Sequence, residues 1–145
     1  MEQKHTHFAD LTAPVRPNVS VSVLQCHAAA QFDPEPVDYI FEARGQATAE
    51  EMICRVLEDI AYRLDALQVA IRDHRFIEIS TPANRVAQVA TQIGLTDVSR
   101  AAVSVADAAR QADGVALSAT MARLERGFDI AVTEIWTFRD RHPRQ

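Results

Sequence analysis

Glycine, aromatic residues and cysteine are scarce in this chain, and each scarcity excludes something. Only four glycines occur in 145 residues, and none is arranged as the glycine-rich loop that cradles a phosphate or dinucleotide. Aromatics make up 6% of the chain, so a core must come from Ala, Val, Leu and Ile, which suits close helix packing. Cys26 and Cys54 match neither a CxxC nor a metal-ligand spacing, and are expected as reduced thiols in a cytoplasmic protein. A formal net charge of −5 lacks the basic field of a general nucleic-acid binder. Arg139, Arg141 and Arg144 form a short basic tail of the kind that suits a helix C-terminus. No stretch reaches the ~20 apolar residues that span a bilayer, and the opening MEQKHTHFAD has no apolar run of the signal-peptide type. Nucleic acid and membrane are therefore not expected as partners.

Catalytic signatures are equally thin. HExxH and GxSxG do not occur, and the only ExxH pair, Glu2 to His5, lies in the terminal tail rather than on the helices a di-iron bundle requires. His5 and His7 read as part of a mobile terminus. No metal, no cofactor and no enzymatic centre are expected.

What is present is helical periodicity. Hydrophobic residues are 48% and charged residues 24% of the chain, ordinary for one globular domain. Residues 1–46 stand apart, since Pro14, Pro17, Pro34 and Pro36 exclude a long helix there. Within them Val19-Ser20-Val21-Ser22-Val23 alternates as a strand does, and Val37 to Arg44 reads as a short helix closed by Gly45. This arm either pairs between chains or lies along the rest. From residue 47 to 141 the pattern is that of four helices. Thr48 and Glu51 form a capping box, after which Ile53, Val56, Ile60, Leu64, Leu67 and Ile71 step by three and four. The opposite face carries Arg55, Glu58, Arg63, Asp65 and Arg72. Around Pro82 two outcomes stay open: a helix that starts afresh there with Thr81 as N-cap, or one element kinked or broken at the proline, which is the favoured reading. Val86, Val89, Ala90 and Ile93 then make a buried stripe ended by Gly94, with Asn84, Arg85 and Gln88 off the stripe and facing outward. A third helix after Thr96 presents a small-residue seam of Val98, Ala101, Ala102, Val105, Ala108 and Ala109. Asp113 caps the fourth, whose Leu117, Met121, Leu124, Phe128 and Ile135 again step by four and three, and whose Gly127 is expected at a close helix crossing. Short turns between these elements predict an all-α, antiparallel four-helix bundle with an irregular N-terminal arm.

From about Glu51 to Phe128 this pattern resembles the histidine-containing phosphotransfer (HPt) domains of bacterial phosphorelays. Val56-Leu57-Glu58 and Leu64 to Ile71 stand where that family has its leading apolar segments. Ile93-Gly94-Leu95 supplies its glycine, and Ala108-Ala109-Arg110-Gln111-Ala112-Asp113 its turn into the last helix, with Asp113-Gly114 in reversed order. The family's HxLKG motif lies ten residues before that glycine, and there this chain has Asn84-Arg85-Val86-Ala87-Gln88. Asn84 replaces the phosphoacceptor, and an amide has no titratable nucleophilic nitrogen. Ala87 replaces the lysine and Gln88 the glycine. The resemblance thus implies an HPt-like bundle without phosphotransfer chemistry, one that docks a receiver domain or a histidine kinase through Asn84, Arg85, Gln88 and Ala87. Two other readings stand beside it: an active phosphotransfer protein using another histidine, with His74 as the alternative phosphoacceptor, and a helical assembly module, a homodimer exchanging the N-terminal arm.

Overall fold

The structure is a computed structural model that describes residues 32–141. The Val19–Val23 alternation, His5, His7, Cys26, Arg144 and the arm-exchange expectation lie outside the described residues.

Among the described residues the chain is all-helical: α1 (Glu35–Arg44), α2 (Gln46–Arg72), a 3₁₀ turn (Phe76–Glu78), α3 (Ser80–Gln92), α4 (Thr96–Arg110) and α5 (Gly114–Arg141). The closest packing is between α3 and α4 and between α4 and α5, with α2 against both α3 and α5 and α1 against α2. Hydrogen bonds give the directions. Ser80 of α3 reaches the Ala106 carbonyl of α4 at 3.5 Å and Ser99 of α4 reaches the Ala87 carbonyl at 3.1 Å, so this pair runs antiparallel. Glu50 pairs with Arg139 at 3.4 Å and Gln68 bonds to Glu125, which sets α2 antiparallel to α5.

The core is apolar throughout, with no polar or charged side chain buried among the described residues. Ile53, Ile60, Leu67, Ile79, Val86, Ile93, Leu95, Val98, Leu117, Leu124 and Ile135 are its largest members. The α4 seam is buried as expected, with Ala106 added. On α2 the stripe is broader than a heptad seam: Ala49, Leu57 and Ala70 are buried, while Val56 and Ile71 are only partly so.

Three turns share one device. At the ends of α2, α3 and α4 the chain closes with paired bonds from the next two backbone N–H groups, Schellman fashion. His74 N donates to Ile71 O and Arg75 N to Ala70 O; Gly94 N to Thr91 O and Leu95 N to Ala90 O; Ala112 N to Ala109 O and Asp113 N to Ala108 O. Each needs a left-handed residue, met by His74 (φ 55°), Gly94 (φ 79°) and Ala112 (φ 53°). Gly94 has a second duty. Asp33 N donates to its carbonyl at 2.8 Å, and a Cβ at Gly94 would stand 1.9 Å from Asp33 O. So α1 starts where α3 ends. With 13 residues against 27, α3 is about 20 Å long beside an α2 of about 40 Å, and α1 also packs against α2, with Val37 and Phe41 buried.

Several expectations are corrected. The Thr48–Glu51 capping box does not form: Gly45 alone joins α1 to α2, so Thr48 already sits in the first turn, exposed, and Glu51 pairs with Arg55 at 2.5 Å. The predicted short helix exists but begins two residues earlier, at Glu35, whose N–H is held by Asp33 Oδ1 at 3.0 Å. The element is broken ahead of Pro82 and not kinked at it: the 3₁₀ turn ends at Glu78 and the helix starts afresh at Ser80, so Pro82 is not its first residue. The proline is the third residue of α3, where its missing N–H would be an orphan anyway, and the separate 3₁₀ turn carries Phe76 to the core edge. Gly127 is not at a close crossing, because an added Cβ there would meet nothing within 4 Å. Asp113 does cap α5, accepting from Ala116 N at 3.0 Å.

Candidate functional site

Because the interior is apolar, chemistry or recognition must lie on the surface, and α3 offers a polar stripe there. Asn84, Arg85 and Gln88 are all exposed, with the Arg85 guanidinium 3.4 Å from Gln88 Oε1. Ala87, grouped with them from the sequence, is corrected: it is 8% exposed, and its carbonyl accepts from Thr91 and Ser99 hydroxyls at 2.9 and 3.1 Å. At 100° per residue it turns toward α4, so it is no part of an outward surface.

The two edges of the stripe face different neighbours. Thr91, seven residues and so two turns beyond Asn84, is bonded to Ser99 at 3.0 Å, which puts Asn84 on the α4 edge. Pro82 lies on the α2 edge, and Arg85, one turn on, continues it.

Along that second edge runs an open groove of about 440 Å³ lined by Tyr62, Asp65, Ala66, Val69 and Ala70 of α2, Arg75 just before the 3₁₀ turn, Glu78 within it, and Pro82 of α3. Its floor is aliphatic. Tyr62 projects from its rim at 75% exposure. Arg75 is held by Glu78 at 2.6 Å and by Asp73 at 3.5 Å, whereas Asp65 has no ion pair among the described residues. Sequence reasoning missed this groove. Its signal was nonetheless there: Tyr62 and Val69 are large apolar residues on the face of α2 that the heptad stepping assigns to solvent.

His74, the alternative phosphoacceptor, is exposed but stands in the turn after α2, its ring edge-on to Phe76 at 5.9 Å. It is not on a helix face, and Asp73 and Arg75 flank it in an ion pair of their own. No His, Cys, Asp and Glu cluster with the makings of a metal site occurs among the described residues. Among the described residues the one carboxylate shifted upward is Glu134 on α5, first by burial and then by the negative charge of Asp97 on α4. No described helix is long and apolar enough to cross a membrane.

No protein-family model, no curated protein and no solved structure matches the chain.

Proposed function

We propose that this protein is a non-catalytic docking module, an HPt-like bundle in which α2 to α5 stand side by side as an up-and-down four-helix bundle, and that it binds a receiver domain or a histidine kinase of two-component signalling across its α2–α3 face. The observation that carries the reading is the composition of that face. Asn84, Arg85 and Gln88 are exposed on α3, and Pro82, one turn before Arg85, lines an apolar groove against α2, the mixture of apolar floor and polar rim that protein interfaces use. Asn84 keeps the position, ten residues before Gly94, that the phosphoacceptor holds in the family the sequence resembles, while lacking the imidazole. The face therefore retains recognition without phosphoryl transfer.

Titration calorimetry against candidate receiver domains and kinases tests it. Binding weakened at least about tenfold by Arg85→Glu supports the reading. Unchanged affinity in that variant, or no binding to any receiver or kinase, removes it. Incubation with a phosphorylated kinase should leave the chain unlabelled at His74; stable label there would replace docking with catalysis.

A further inference from the structure

The groove beside Arg85 has a chemistry of its own, and its description rests on the docking reading above. It opens to solvent, which suits a small molecule poorly, since such a ligand needs most of its surface buried. A helix laid along it needs only one face covered. The floor, Val69 and Pro82 with the neighbouring alanines, asks for aliphatic side chains.

The lips differ in sign. On the α2 lip the carboxylate of Asp65 has no ion pair among the described residues, and the exposed ring of Tyr62 stands one turn away. Carboxylate and π-face together suit a cation. Glu78 adds no net charge, because Arg75 neutralises it at 2.6 Å. On α3, one turn on from Pro82 and so next to the groove by helical spacing, Arg85 has a single long contact, to the neutral Gln88 at 3.4 Å, and suits an anion. We infer that the groove takes one amphipathic helix of a partner protein, its aliphatic stripe on Val69 and Pro82, a lysine or arginine flank against Asp65 and Tyr62, and an acidic flank against Arg85. Opposite charges on the two lips then set the direction in which that helix lies.

Two synthetic helical peptides test this with the full chain. One has a leucine stripe flanked by lysines on one side and glutamates on the other; the second replaces the lysines by glutamates. Affinity is read by fluorescence anisotropy and location by amide shifts in the ¹⁵N-labelled protein. The expected result is binding of the first peptide with shifts at Ala66, Val69, Glu78 and Arg85, and roughly fivefold weaker binding of the second. Asp65→Asn should erase that preference, and Val69→Asp should abolish binding of both; each of these side chains is at the surface, so the fold survives. Equal binding of the two peptides, a preference that persists in Asp65→Asn, or shifts confined to another face would overturn the inference. A receiver domain or kinase that binds through Arg85 yet ignores Asp65→Asn overturns the inference alone. Failure of every receiver and kinase, with the peptide preference intact, overturns the signalling assignment alone.

Discussion

His74 carries a backbone angle that its side chain makes costly. At φ 55° a non-glycine residue pays about 1 kcal/mol or more, and the imidazole recovers little through one edge contact with Phe76. His74→Gly should therefore raise stability by about 1 kcal/mol, measured by urea denaturation. Gly127 is the mirror case. It sits inside α5 with open space where a Cβ would go, so Gly127→Ala should also stabilise, by about 1 kcal/mol. Gly94 behaves oppositely, for an alanine there meets both φ 79° and the Asp33 carbonyl; a loss of at least about 2 kcal/mol is expected. Of these, only Gly94 was legible as a helix terminator from sequence. The left-handed turn at His74 comes from the path between α2 and the 3₁₀ segment, which no residue type announces. The spare room at Gly127 depends on neighbours that periodicity does not locate.

At the scale of elements, stripes were legible and starts were not. The alternation of three and four found the buried faces of α3, α4 and α5 because burial follows helical period. It blurred on α2, which packs against α1 as well as α3 and α5 and buries Ala49 and Leu57 beside the seam. The start of α2 was misread because Gly45 makes a one-residue connection from α1, leaving no room for a cap at Thr48. Paired substitutions separate the two helix starts. Asp113→Ala should cost about 1 kcal/mol, as loss of an N-cap does, whereas Thr48→Ala should change stability by less than about 0.5 kcal/mol. A loss at Thr48 as large as that at Asp113 would restore the capping box. The groove escaped notice for a related reason: heptad stepping sorts residues into inside and outside, and Tyr62 and Val69 belong to a surface that is outside but apolar.

Across the described residues the interior is too apolar to hold a titrating switch, and a pH response is expected from the α4–α5 flank. Burial, then Asp97, raises the Glu134 carboxyl above its ordinary value. Folding thus favours the protonated form. The stability this group contributes is fully present below its unfolded value, near 4.5, and is lost as pH rises through the higher folded value. Glu134→Gln should then melt at a higher temperature than the parent at neutral pH, with the difference closing as acid is added down to about pH 4. Equal melting temperatures across that range would contradict the assignment.

The docking face is the central claim, and one comparison of affinities tests it most directly. Arg85 and Arg126 are both exposed, on α3 and on α5. Titrated with the same receiver domain or kinase, Arg85→Glu should weaken binding at least about tenfold while Arg126→Glu leaves it unchanged. Equal affinities in the two variants would place the partner elsewhere and contradict the account.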